Sequence, residues 1–192
     1  NLKKIIKNKK VVDFGCGHGN FLIAAAMEGC SFGYGIDYGK DSIDFANKIK
    51  NKLKLNKKLK FETKNIYKSN LKSSFFDVAI QNGVFHHLNK PDKAYKELHR
   101  VLRKGGYAWL YTDGGGGIRD IIADMSQKIL KDISIDFKVK KIRTTYLNNS
   151  KQYHLSDNTN AKYQHYSLEN YLKYLKKNWF YEFYSIKWWY KN

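Results

Sequence analysis

Two hydrophobic rhythms alternate along the first 112 residues. Short unbroken apolar runs read as buried strands, and apolar residues three and four apart read as one face of a helix. Val11, Val12 and Phe14 make the first run, and helically spaced Phe21, Leu22, Ala24, Ala25 and Ala26 follow at once. The pattern predicts strand 11–14, helix 20–28, strand 32–37, and a helix from Asp41 to about Leu55 with Ile43, Ala46, Ile49 and Leu53 inward. Strands at 59–63 and 76–80 come next; the second is apolar enough to be buried on both faces. Asp41 is expected to cap its helix, and Pro91 to open another whose inner face is Ala94, Leu98, Val101 and Leu102. Gly105–Gly106 then turns the chain into a strand at 107–112. Strand–helix alternation predicts an α/β fold, a doubly wound, mostly parallel sheet with helices on both faces and ligands at the carboxyl ends of its strands.

After Thr112 the rhythm stops. Asp113 and the hinge-like run Gly114–Gly117 lead into an amphipathic helix, roughly 118–130. Residues 132–166 signal weakly and read as an insertion. Ser167 is placed to cap a helix to about Lys177, and 181–190 reads as a last strand. The chain of 192 residues is expected to be one domain: a core over 10–112, a lid-like insertion over about 113–166, and a terminal helix and strand over 167–192.

Composition adds little to this. Thirty-six basic residues against 17 acidic give a formal charge of +19, which points toward a polyanionic partner. Only Arg100, Arg103, Arg119 and Arg143 of those are arginine, and the chain is rich in Asn, Ile, Tyr and Phe, as an AT-rich coding sequence would make it. The lysines are therefore read as compositional. Cys16 and Cys30 form no disulfide or metal framework, so a reducing, cytoplasmic setting and no metal are expected. No stretch is long and apolar enough to span a bilayer.

The chemistry concentrates at residues 13–19, Asp-Phe-Gly-Cys-Gly-His-Gly. A strand turning sharply into a helix needs glycine for the turn and for the close approach of a ligand to the backbone. A dinucleotide fingerprint would place glycines as G-x-G-x-x-G, whereas here Gly15, Gly17 and Gly19 alternate and Asn20 stands where the third glycine should be. Asp37, ending the second strand, suits ribose hydroxyls with either cofactor.

Asp13-x-Gly15-x-Gly17-x-Gly19 resembles the first motif of class I S-adenosylmethionine-dependent methyltransferases with a Rossmann-like fold. The similarity continues through Gly35-Ile-Asp37, through 76–88 (Phe-Asp-Val-Ala-Ile-Gln-Asn-Gly-Val-Phe-His-His-Leu) and through 97–106, in order and at the usual spacing. The resemblance implies that the Gly15–Gly19 backbone, including Cys16, packs against the methionine part of the cofactor. It implies that Asp13 orients the amino group, that Asp37 accepts both ribose hydroxyls, and that Tyr38 covers one adenine face. Asn65 and Ile66 would hold the adenine edge, with the Asn65 oxygen pairing to the adenine amine. Gln81 and Asn82 would line the wall beside the reactive methyl, and S-adenosylhomocysteine would be the product. Such relatives carry one or two helices before the first strand and end in an antiparallel strand pair. The ten residues before Val11 and the single terminal strand therefore read as a piece of a longer polypeptide, or as a minimal version.

A sulfonium already activates the methyl, so positioning alone supplies about 7–11 kcal/mol of the barrier and no elaborate catalytic group is required. A base helps if the acceptor is a hydroxyl or protonated amine. His86 and His87, after the fourth strand, are the candidates. Arg119, His154 and Tyr166 are candidate acceptor contacts from the insertion. The expected acceptor is a small molecule. Nucleic-acid methylation is the first alternative, but the Asn/Asp-Pro-Pro-aromatic stretch of amino-directed base methyltransferases is missing after strand four, and the one proline is Pro91. A nicotinamide oxidoreductase is disfavoured by the glycine spacing. A non-catalytic cofactor-binding domain would carry the same cradle.

Overall fold

The computed structural model describes residues 2–112, 118–148, 151–152 and 167–180. A short helix α1 (Leu2–Ile6) precedes β1 (Lys10–Phe14), α2 (Asn20–Met27), β2 (Phe32–Asp37), α3 (Lys40–Lys52) and β3 (Leu59–Thr63). Then come β4 (Phe76–Asn82), a 3-10 turn (Phe85–His87), α4 (Pro91–Val101) and β5 (Leu102–Tyr111). Helices α5 (Ile118–Ile129), α6 (Ile135–Arg143) and α7 (Leu168–Asn178) follow.

The five strands form one parallel sheet in the order β3-β2-β1-β4-β5. The chain winds outward from β1 in both directions, so the β1–β4 boundary is the switch point where ligand crevices open. Side chains alternate across each strand. Val11, Val78 and Ile80 join Leu22, Ala25 and Ala26 of α2 and Ile43 and Ala46 of α3 in one buried cluster. On the opposite face Phe14 meets Phe85 edge-on, and Phe85 meets Tyr95 of α4 at 4.9 Å between ring centroids. Helices thus cover both faces, and each layer buries a full apolar set.

Three elements depart from the sequence reading. Gly39, not Asp41, is the N-cap of α3; Asp41 lies in its first turn, where its charge still favours the helix dipole. Strand β5 begins at Leu102, which hydrophobic spacing had assigned to the preceding helix. Leu102 pairs with Phe76 while Tyr107 pairs with Val78, so residues 103–106 bulge out of the ladder. Helix α6 stands inside the stretch read as weakly structured, capped by the Ser134 hydroxyl, which accepts the Phe137 N–H. Ser167 caps α7 in the same way through the Asn170 N–H. The expected strand at 181–190 lies outside the described residues.

The chain divides into two compact units. One comprises Asn1–Phe85, Asn89–Thr112 and Leu175–Asn192; the other comprises His86–Leu88 and Asp113–Tyr174. The sheet belongs to the first.

Candidate active site

The loop between β1 and α2 is built almost entirely from backbone. Gly15 and Cys16 both donate their N–H to the Ile36 carbonyl, at 2.8 and 3.0 Å, which ties the turn to the end of β2. The Gly19 N–H closes onto the Cys16 carbonyl. Gly15 sits at φ +78°, and a Cβ there would come within 2.5 Å of a Val84 methyl, so the loop after β4 presses directly on it. Gly17 is the opposite case. Its φ is +50°, yet a Cβ would meet nothing within 4 Å: the backbone here borders open space. Helix α2 starts just beyond, with Gly19 as N-cap and no side-chain cap.

Asp37 closes β2 beside this loop. One carboxylate oxygen accepts the Gly17 N–H and the other the Gly39 N–H, each at 2.8 Å. Two backbone donors fix the carboxylate, and each oxygen keeps a lone pair for a further donor. Asp37 is half-buried, and Tyr38 beside it is exposed. Asp13, near the end of β1, is buried, and its Oδ1 has no hydrogen-bond partner. Burial first, then the nearby Asp37 charge, push its carboxyl up to about 7 from an ordinary 3.8. Burial likewise pushes the Cys16 thiol far above its usual range, helped by Asp13 and Asp37. Cys16 therefore contributes an inert buried side chain and a bonded backbone. In a chain of charge +19, two carboxylates thus stand together at the ends of β1 and β2.

The loop after β4 is held by a side chain instead. Gln81 is fully buried; its Nε2 donates to the Tyr111 carbonyl at 2.6 Å, and its Oε1 accepts the Val84 and Phe85 N–H groups at 3.1 and 3.2 Å. The expected wall residue therefore spends its amide inside the fold, pinning the turn between β4, β5 and the 3-10 turn. Asn82 is exposed. His86 is buried, and its ring lies 4.1 Å from that of His87 between centroids. Both belong to the second unit.

Beyond β3, Asn65 is exposed and Ile66 half-buried. The Asn65 oxygen, expected to meet an adenine amine, accepts the Tyr67 N–H at 2.8 Å; one lone pair remains. This loop is anchored by a network that sequence reasoning missed. Glu97 of α4 accepts from both the N–H and the hydroxyl of Ser69, and from Arg100. Burial alone would raise the Glu97 carboxyl; the Arg100 and Ser69 donors outweigh it and hold it at about 2. Nothing in hydrophobic spacing marks Glu97, because it occupies a buried helix position with a charge. Arg119 belongs to α5, and His154, Tyr166 and the expected hinge-like run 114–117 lie outside the described residues.

Comparisons with known proteins agree with this architecture. Residues 5–112 match the family described as methyltransferase domain. The sterol 24-C-methyltransferase of Debaryomyces hansenii is 30% identical over 118 residues, covering 57% of this chain and 30% of that protein. The ubiquinone biosynthesis O-methyltransferase of Pelagibacter ubique is 34% identical over 114 residues, covering 57% and 44%. The matched part thus spans less than half the length of either curated relative. Among solved structures, the YcgJ protein of Bacillus subtilis superposes with a TM-score of 0.61 at 16% identity, covering 92% of this chain and 65% of that one. Geranyl diphosphate C-methyltransferase of Streptomyces coelicolor gives 0.59 at 17%, covering 88% and 54%. At such identities the likeness is one of fold. With more than half of its length matched, the chain belongs to the methyltransferase domain family, of the class I, S-adenosylmethionine-dependent kind.

Proposed function

We propose that the chain binds S-adenosylmethionine and passes its methyl group to a small, lipid-like acceptor through an oxygen, nitrogen or carbon nucleophile. The observation that carries the reading is the pair of carboxylates at the ends of β1 and β2: Asp37 locked by Gly17 and Gly39, and Asp13 buried with an oxygen unused. A buried acceptor without a partner calls for a donor, and a ligand amino group supplies one. Open space beside the Gly17 backbone leaves room for close approach. Asp37 serves a ribose of either cofactor, but the Asp13 carboxyl beside the glycine loop favours a ligand amino group over a pyrophosphate, which argues against a nicotinamide dinucleotide.

When bound, the cofactor supplies a methyl group on a sulfonium sulfur. Asp13 holds the amino group and Asp37 the ribose hydroxyls, with one oxygen for each. Tyr38 shields an adenine face, and Asn65 and Ile66 border its edge. Gln81 positions the loop after β4, and Asn82 faces the crevice. His86 or His87 receives the proton released by a hydroxyl or amine acceptor. Arg119, His154 and Tyr166 are assigned to acceptor binding on their sequence positions. A lipid-like acceptor is supported by the two curated relatives, whose names place them on a sterol and in ubiquinone biosynthesis.

The test is turnover of methyl-labelled S-adenosylmethionine with isoprenylated phenols, sterols and RNA. Label in a phenol or sterol and release of S-adenosylhomocysteine are expected. Label in RNA with the small molecules inert would replace the acceptor reading, and cofactor binding without any turnover would make this a non-catalytic domain.

A further inference from the structure

Helix α5 is turned inside out relative to an ordinary surface helix. A helix on a globular protein faces its apolar stripe inward and its polar residues outward. Here the small Ala123 is buried, and Ser126 and Gln127 are half-buried. Ile121, Ile122, Met125 and Ile129 are between 57% and 74% exposed. At 100° per residue those four fall within one arc of about 100°, so they form a continuous outward ridge, not scattered apolar residues. Helix α6 repeats the theme. Ile142 is buried, while Phe137 faces out and is half-exposed, with exposed Lys140 and Lys141 to either side of it around the helix. The Lys141 ammonium lies 5.7 Å from the centre of the Phe137 ring. Between 131 and 143 there are five basic residues (Lys131, Lys138, Lys140, Lys141, Arg143) against two acidic ones (Asp132, Asp136).

We propose that the exposed faces of α5 and α6 form a docking surface for an anionic membrane, with the isoleucine ridge and Phe137 dipping into the acyl boundary and the lysines meeting lipid phosphates. An apolar ridge, followed five residues along the chain by a lysine-flanked aromatic face, is what interfacial helices present. Charge decides between this occupant and a second copy of the chain: two molecules of charge +19 apposed here repel each other, whereas an anionic surface turns the same charge into attraction. No described helix is long and apolar enough to cross a membrane, so contact of this kind is peripheral.

The experiment is sedimentation of the whole chain with vesicles of phosphatidylcholine, with and without about 30 mol% phosphatidylglycerol, across a salt series. Two variants accompany it: the triple substitution Ile121→Ser, Met125→Ser, Ile129→Ser, and the pair Lys140→Glu, Lys141→Glu. Because all five side chains are exposed, melting temperature and S-adenosylhomocysteine affinity should match the parent. The parent should bind the anionic vesicles, release with rising salt, and lose binding at least about tenfold in either variant. Absence of vesicle binding, or equal binding by the triple variant, would overturn the proposal. So would a parent dimer that the triple variant dissolves, which would give the ridge to a second copy. RNA binding that survives the triple variant while vesicles fail would give the lysines another partner and overturn it as well. Cofactor affinity measured on the same samples keeps this outcome separate from that of the methyl-transfer reading.

Discussion

The two loops that meet at the β1–β4 switch point are built by opposite means. The loop after β1 is glycine and backbone: its N–H groups bond to Ile36 and Asp37, and of its two side chains Cys16 is buried and inert while exposed His18 packs on the Phe45 ring. The loop after β4 is side chain: Gln81 alone holds three backbone groups together. The loops touch where Gly15 leaves room for the Val84 methyls. A backbone-built loop presents the same surface whatever its neighbours, which suits a cofactor of fixed shape. A loop pinned by one buried amide can change its outward residues without losing its anchor, which suits an acceptor that differs between enzymes.

The sharpest way to break this contrast is to put a methyl group on each loop glycine. Gly15→Ala meets both a left-handed backbone and Val84, and should cost roughly 2–4 kcal/mol of folding stability by denaturant titration. Gly17→Ala meets the left-handed backbone alone and should cost about 1 kcal/mol. Its methyl enters the open space instead, so its S-adenosylhomocysteine affinity should fall while the fold holds. Equal stability losses in the two variants would erase the distinction.

Gln81→Leu probes the second loop. It strands the Val84 and Phe85 N–H groups and leaves the Tyr111 carbonyl with the Gly83 N–H as a donor, and should cost about 1–3 kcal/mol with cofactor affinity nearly unchanged. A large loss of cofactor affinity at intact stability would mean that Gln81 contacts the ligand after all.

A pH dependence at Asp13 probes the same region without touching a glycine. Its carboxyl titrates near 7 in the fold against 3.8 ordinarily, so the folded state keeps a proton that the unfolded state gives up. Stability should decline as pH rises from about 4 to 7 and level off above, because the unfolded chain binds fewer protons across that window. Affinity for the cationic cofactor should rise over the upper part of the window, as the carboxylate forms. Asp13→Asn should flatten both profiles; a slope that survives in it belongs to another group.

How far the sequence carried depended on what kind of signal each feature leaves. Strands β1, β2 and β4 were legible because burial on both faces writes a nearly unbroken apolar run, edge strand β3 because buried Leu59 and Phe61 alternate with Lys60 and Glu62, and the glycine turn because alternating glycines beside Asp13 have few other uses. The start of β5 was not, since Leu102 fits a helical face as well as a strand and the bulge at 103–106 imitates a turn. Helix α6 escaped notice because Ile135 and Phe137 point outward, so its apolar residues trace no single inward stripe. Gln81 and Glu97 were misjudged or missed for one shared reason: both are polar groups buried by virtue of partners far along the chain, Tyr111 and Ser69. Local pattern says that a side chain is polar, and only the fold says where its hydrogen bonds go.

The most direct test of the central claim is calorimetric titration of S-adenosylmethionine into the parent chain and into Asp37→Ala, with a nicotinamide dinucleotide as the control ligand. The account predicts saturable heat with the parent, a loss of affinity on the order of 100-fold in the variant as two charged hydrogen bonds disappear, and no heat from the dinucleotide. Equal affinities in the two proteins, or saturation by the dinucleotide where S-adenosylmethionine gives none, would contradict it.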